Sequence, residues 1–287
     1  MILITGANGH LGKQTIDFLI QKGIKPETIK ALVRSKEKGA ELALLGVNIS
    51  IGDYEDFDSL VSAFQGVEKL LMVSATDLTK RAAQHATVIK AAKVANVKHV
   101  IYTSGGRTIE TPESLLWVFM KAHIETEKLL AASGLKYTIL NNGLYLDTIP
   151  LFIGDVLQSG VIYLPAGNGK MAWALRSEMA EAAAEVLVTE GHENKRYVLT
   201  NTEAYGYQDV ADQISEITGI PVSYVSPTKV EFVDTLAQSG ISIPEEYVSI
   251  ILAQANGEGN FVSDDLEKFL GRKPTTLKEY LSAIYKS

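Results

Sequence analysis

The chain opens Ile2-Leu3-Ile4-Thr5-Gly6-Ala7-Asn8-Gly9-His10-Leu11-Gly12, and the reading of this stretch decides the fold. Residues 2–5 are a short apolar run of the kind that makes a buried strand. Gly6, Gly9 and Gly12 follow at three-residue spacing, and a helical pattern (Leu11, Ile16, Leu19, Ile20) begins at once. Strand, glycine turn and helix in that order are what a dinucleotide pyrophosphate requires. Gly6 permits the tight turn, Gly9 lets the backbone approach the phosphates, and Gly12 lets helix and strand pack closely. The first N–H groups of the helix then face the anion. We assign Gly6, Asn8, Gly9, His10, Leu11 and Gly12 to the binding of a nucleotide cofactor.

Outward from that turn, short apolar runs at 29–33, 47–51, 69–73, 99–103 and 137–140 alternate with helical stretches at 10–22, 36–45, 57–64, 78–95 and 114–133. This alternation predicts the α/β class: a doubly wound parallel Rossmann sheet covered on both faces, with its site at the C-terminal ends of the strands. After residue 141 the rhythm changes, with Gly154, Gly160, Gly167 and Gly169 breaking it up. Helices are expected at 177–188, 207–218, 229–239, 245–255 and 277–285, and strands at 161–164, 197–199 and 222–225. Gly167-Asn168-Gly169-Lys170 reads as a hairpin turn. We read residues 1–141 as the nucleotide-binding domain and 142–287 as a smaller α/β substrate lobe, with some later segments returning to the first.

Composition narrows the class further. In 287 residues, 46% are hydrophobic and 21% charged, which supports a sizeable core and argues against global disorder. The net charge of −7 argues against nucleic acid as a partner, since phosphate backbones need a basic face. With no cysteine there is no disulfide, thiolate metal site or thiol nucleophile, and no His/Asp/Glu cluster has metal-ligand spacing. No apolar run reaches the length of a membrane span and no signal peptide precedes residue 2, so a soluble cytoplasmic protein is expected. Oligomeric state stays open, a homodimer among the options.

The second strand tells which dinucleotide is held. NAD-binding sheets place an acidic residue about 20 positions beyond the glycines to take the ribose 2′-hydroxyl. Here the strand ends Leu32-Val33-Arg34-Ser35-Lys36, so a guanidinium stands in that place. Arginine can fork onto a 2′-phosphate and stack on adenine, and Lys36 and Lys38 add charge nearby, which points to NADPH. Asp53, after the third strand, is placed either to bond the adenine amine or to make an ordinary turn or N-cap.

The fifth strand ends Tyr102-Thr103-Ser104, and the helix after it carries Trp117-Val118-Phe119-Met120-Lys121. Short-chain dehydrogenases place a serine at that strand end and a Tyr-x-x-x-Lys pair on that helix; the lysine holds the nicotinamide ribose and lowers the phenol's pKa for proton transfer. Ser104 and Lys121 match the frame. The tyrosine position is Trp117, whose indole N–H donates a hydrogen bond but cannot shuttle a proton. Alcohol–ketone chemistry is therefore disfavoured.

Nine segments carry a resemblance along nearly the whole chain. In order they are Thr5-Gly6-Ala7-Asn8-Gly9-His10-Leu11-Gly12, Leu32-Val33-Arg34, Gly52-Asp53-Tyr54, Gly66-Val67-Glu68-Lys69-Leu70-Leu71 and Tyr102-Thr103-Ser104. After them come His123-Ile124-Glu125-Thr126-Glu127-Lys128, Asn142-Gly143-Leu144-Tyr145, Gly167-Asn168-Gly169-Lys170 and Gly191-His192-Glu193-Asn194-Lys195. The chain resembles the NmrA-like, atypical short-chain dehydrogenase family, and within it the bacterial quinone- and triphenylmethane-dye-reducing members. The resemblance implies a Rossmann domain with a small C-terminal lobe, NADPH as cofactor, no flavin and no metal, and a substrate lying against the nicotinamide.

A quinone or dye-like acceptor suits a site without the tyrosine. Hydride delivered to a conjugated dione gives an aromatic hydroquinone anion, far more stable than an alkoxide, so solvent can supply the proton and positioning can supply much of the rate. Ser74, Ala75 and Thr76 after the fourth strand, with Thr103 and Ser104 after the fifth, are expected to line the nicotinamide. Lys121 is expected on its ribose, Asn142 to orient cofactor or substrate, and Tyr145 to offer the substrate a hydroxyl. Tyr145 could equally be a core aromatic with a satisfied hydroxyl, and His123 reads as a packing histidine rather than a base. Two rivals stand beside this reading. One is a non-catalytic NADP(H)-binding redox sensor, motivated by the missing tyrosine; the other is a sugar-nucleotide epimerase, whose chemistry needs that tyrosine.

Overall fold

In the computed structural model, which describes residues 1–286, the opening apolar run forms β1 (Ile2–Ile4) and the helical pattern after the glycines forms α1 (His10–Gln21). The chain continues through β2 (Ile29–Val33), α2 (Ala40–Leu44), β3 (Asn48–Ile51), α3 (Phe57–Ala63), β4 (Lys69–Met72), α4 (Arg81–Val94), β5 (His99–Gly105), α5 (Trp117–Ser133) and β6 (Lys136–Asn142). Next come α6 (Ile149–Ile153), α7 (Val156–Ser159), β7 (Val161–Tyr163), α8 (Arg176–Val188) and β8 (Lys195–Leu199). The last elements are α9 (Tyr207–Thr218), β9 (Ser223–Val225), α10 (Lys229–Gln238), α11 (Glu245–Ala255), α12 (Asp265–Leu270) and α13 (Leu277–Tyr285).

Seven strands form one sheet in the order β3-β2-β1-β4-β5-β6-β8, and the pairings from β3 through β6 are all parallel. The order reverses between β1 and β4, and a crevice beyond the strand ends opens at that switch point. The residues divide into two units, and the division is not sequential. The first comprises residues 1–105, 121–142 and 176–198; the second comprises 106–120, 143–175 and 199 onward. Residues 106–120 thus leave the first unit, while 176–198 return α8 and all but the last residue of β8 to it.

In the first unit, Leu60 and Phe64 from α3 and its C-cap, Val88 from α4 and Leu130 from α5 pack with Leu3, Leu70, Val100 and Ile139 of the strands. On the sheet's other face α1 packs along α8. Every residue of β5 is buried, as a central parallel strand covered on both faces requires. The second unit has its own core, built from Leu146, Trp173, Tyr207, Val210, Leu277 and Leu281 among others, and its own two-stranded parallel sheet, β7 with β9.

Side-chain hydrogen bonds shift several boundaries from those the periodicity predicts. The helix expected from 78 starts at Arg81, because the Asp77 carboxylate accepts from the N–H groups of Thr79 (3.0 Å) and Lys80 (3.2 Å) and makes a turn first. The helix expected from 114 starts at Trp117, because Ser114 Oγ accepts from Leu116 N at 3.0 Å. Residues 167–170 do form a turn, but not a hairpin: Ile162 pairs in parallel with Tyr224, and Met171 bridges to Tyr205. The short helices α6, α7 and α12 are too brief for periodicity to announce.

Two buried histidines make acid stability predictable. His99 on β5 lies 2.8 Å from the Thr138 hydroxyl, and burial pulls its pKa down to about 4; burial and the Arg81 charge pull His85 to about 3. Unfolded, both titrate near their ordinary 6.5. Between those values the unfolded chain binds protons that the folded chain refuses, so stability falls as pH falls through this window. The melting temperature should drop by about 5–10 °C between about pH 7 and about pH 4.5. His99→Gln should shrink that drop; an identical pH dependence in the variant would refute the assignment.

Candidate functional site

The glycine turn has the geometry its spacing predicts. Gly6 sits at φ +57°, a left-handed conformation that disfavours any side chain, and its carbonyl accepts from Gly9 N at 2.9 Å. A Cβ on Gly12 would lie 2.4 Å from that same carbonyl oxygen, closer than any real Cβ contact. The turn delivers the chain into α1, whose N-cap is Gly9, with no side-chain cap and no acidic residue in the first turn. The first N–H groups of α1 therefore have neither a carbonyl behind them nor a carboxylate beside them, which is the electrostatics of an anion site.

Gly6 and Gly9 line a cleft of about 550 Å³ in the first unit, whose walls come from the C-terminal ends of four strands; His10, Leu11 and Gly12 do not line it. Gly6, Ala7, Asn8 and Gly9 contribute the floor beyond β1, and Arg34 and Lys38 the rim beyond β2. Gly52 to Glu55 follow β3, and Val73 to Asp77 follow β4. Arg34 is exposed at the rim, and Asn8 Nδ2 donates to the Lys38 carbonyl, tying the glycine turn to the basic segment. Asp53 makes a turn, its Oδ1 accepting from Glu55 N at 2.9 Å, and lines the cleft as well; the N-cap of α3 is Asp56. An uncapped helix start, a backbone with no room for a Cβ and a cationic rim fit a dinucleotide bearing a 2′-phosphate.

The turn after β4 is held from behind. Val73 N donates to Thr5 Oγ1 at 2.9 Å and Ser74 N to Thr103 Oγ1 at 3.0 Å, while the Tyr54 hydroxyl donates to the Val73 carbonyl at 2.7 Å. Thr103 is buried, and its hydroxyl acts on the cleft through Ser74. Sequence reasoning does not mark Tyr54 or Thr5 as site residues, although they lie in the Gly52-Asp53-Tyr54 and Thr5-Gly6 segments. Burial pushes the Tyr54 phenol above its ordinary pKa, so it stays a neutral donor. Of the assigned turn residues, Ser74, Ala75 and Thr76 line the cleft directly.

The candidates for chemistry are distributed differently. Ser104, 3% exposed, donates its hydroxyl proton to Glu127 on α5, and Glu127 is paired with Arg196 at 2.5 Å. Lys121 lies exposed on α5. Asn142, 6% exposed at the end of β6, has an Oδ1 with no hydrogen-bond partner among the described residues. All three belong to the first unit together with the cleft. Tyr145 belongs to the second: it is half-buried, bridges to Ala174, and its carbonyl accepts from Thr148 N at 3.1 Å. The second unit also holds a crevice of about 10 Å³ with apolar walls from Leu116, Leu144, Met171 and Phe261. Among the described residues no group of three or more His, Asp or Glu side chains could hold a metal ion, and no helix is long and apolar enough to cross a membrane.

Comparison with known proteins places this geometry. The model of the NmrA-like family matches residues 1–284. Quinone oxidoreductase 2 of Escherichia coli strain K12 is 37% identical over 99% of each chain. The crystal structure of an NADPH-dependent quinone oxidoreductase from E. coli, complexed with NADPH, superposes with a TM-score of 0.91 at 38% identity, covering 99% of this chain and 100% of that one. Triphenylmethane reductase of Citrobacter sp., complexed with NADP(H), gives a TM-score of 0.88 at 36% identity, covering 98% and 99%.

Proposed function

Because this chain belongs to the NmrA-like family, we propose that it is an NADPH-dependent reductase of quinones and similar conjugated acceptors, working by direct hydride transfer without flavin. The observation that carries the reading is the single cleft in which the uncapped start of α1, the crowded glycine turn and Arg34 meet. Relatives that are a quinone oxidoreductase and a dye reductase support the acceptor class, since both kinds of acceptor are conjugated.

In this reading the N–H groups at the start of α1 hold the pyrophosphate, and Arg34 with Lys38 holds the 2′-phosphate. The β4 turn, wired from behind, presents a fixed wall against which the nicotinamide is oriented. NADPH when bound supplies the hydride. Lys121 reaches the ribose, Asn142 offers its unpaired Oδ1 to an amide or hydroxyl, and Tyr145 turns its hydroxyl to the substrate. Ser104 has committed its proton to Glu127, so it supports the end of β5 and the hydroquinone takes its proton from solvent.

The test is loss of the nicotinamide absorbance when purified protein, with no added flavin, is mixed with NADPH and benzoquinone or menadione. Turnover is expected with both quinones. NADPH binding without turnover on any quinone or dye would transfer the case to the redox sensor, and absence of binding would end both readings.

A further inference from the structure

The backbone of Ala75, in the wall of the cleft, is gripped on both sides of its Cα by buried side chains of α4. Its N–H donates to His85 Nε2 at 2.9 Å, and its carbonyl accepts from Arg81 Nε at 2.6 Å. His85 is 0% exposed and Arg81 8%. Neither side chain lines the cleft, and both bond to it through the Ala75 backbone.

The proton positions follow from what each atom can do. A ring nitrogen that accepts from an N–H carries no proton, so His85 is the neutral Nδ1–H tautomer. Its Nδ1 lies 2.8 Å from Thr126 Oγ1, which sends its own proton to the Ala122 carbonyl at 2.6 Å. Arginine has donors only, so His123 Nε2, 3.3 Å from an Arg81 terminal nitrogen, accepts. His123 Nδ1–H then donates to the Tyr102 hydroxyl at 2.6 Å. Arg81 and His85 are thereby locked by side chains from β5 and α5, and a protonated His85 would set two donors against each other at Ala75. Burial and the neighbouring Arg81 charge, which pull His85 down to about 3, act in the same sense.

We propose that Arg81 and His85 are positioning residues for the cofactor: a two-point clamp that holds the backbone on either side of the Ala75 Cα, and with it the β4 turn, in the shape NADPH binds. This rests on the NADPH reading of the cleft. Without the clamp, the turn keeps the Thr5, Thr103 and Tyr54 bonds but loses both backbone bonds at Ala75, so cofactor binding must order it afresh.

The experiment compares His85→Leu, His85→Gln and Arg81→Lys by NADPH Kd, by the separate KM values for NADPH and quinone, and by melting temperature. His85→Leu should raise the Kd for NADPH about tenfold or more while the quinone KM moves less than about twofold. His85→Gln, whose Oε1 can accept from Ala75 N–H, should recover most of that loss; a general packing defect would not be rescued in this pattern. A folded His85→Leu protein with the original NADPH affinity would overturn the proposal. Should His85→Leu not fold, Arg81→Lys carries the test, with an expected rise of about threefold to tenfold, and an unchanged Kd there would count equally against the clamp. Ring-¹⁵N histidine spectra of the unsubstituted protein should show His85 as Nδ1–H from about pH 5 to about pH 9; a protonated His85 in that range would refute the assignment. Wild-type protein that binds no NADPH would end the functional reading itself, and the tautomer spectrum would still decide whether His85 accepts from Ala75.

Discussion

Gly12→Ala is expected to raise the Kd for NADPH by about a hundredfold or more. The added Cβ would sit 2.4 Å from the Gly6 carbonyl oxygen and 3.0 Å from Ala7 Cα, all backbone atoms that no rotamer change can move. Either α1 slides away from the turn or the turn opens, and both displace the N–H groups that face the phosphates. The core beneath is untouched, so the variant should fold, with a stability loss of about 1–3 kcal/mol typical of overpacking. Gly9→Ala supplies the comparison, because its Cβ would meet the same oxygen at 3.2 Å, a contact that small shifts can relieve. Isothermal titration of the two variants checks the ranking; NADPH affinity retained in Gly12→Ala would mean the turn is not the phosphate site.

Arg34→Ala should lower the preference for NADPH over NADH by about 30- to 100-fold, almost wholly through the KM for NADPH. The guanidinium stands at the end of β2 on the cleft rim, where its fork can match a 2′-phosphate. NADH lacks that phosphate, so its kinetics should hardly change. Arg34→Lys should fall between, since an ammonium restores charge but neither the fork nor the adenine stacking. Ratios of kcat/KM for the two cofactors give the answer. If Arg34→Ala weakens NADH and NADPH alike, the residue shapes the rim and does not read the phosphate.

Much of the sheet was legible because parallel buried strands are written as short apolar runs between helices, and β2 and α1 fall close to where periodicity places them. The glycine turn was legible for a different reason: Gly6 and Gly12 answer to backbone geometry, which leaves a residue-type signature. Side-chain hydrogen bonds between distant segments leave no such signature. Nothing local marks Ser104 as bonded to Glu127, Thr103 as the acceptor for Ser74 N, or His85 and Arg81 as the two grips on Ala75. Helix starts moved for a local reason instead, where Asp77 or Ser114 captured the backbone N–H two residues on.

The amino-acid order alone thus determined a Rossmann sheet, a glycine turn after its first strand and a cationic residue at the end of its second, because each is written in short local patterns of residue type. Tertiary structure alone decided that residues 106–120 join the second unit and 176–198 the first, and that Ser104 gives its proton to Glu127. It also decided that the β4 turn is wired by Thr5, Tyr54, Thr103, His85 and Arg81. Those outcomes depend on which groups meet when strands far apart in sequence become neighbours, and a buried N–H takes whichever acceptor the packing brings within reach.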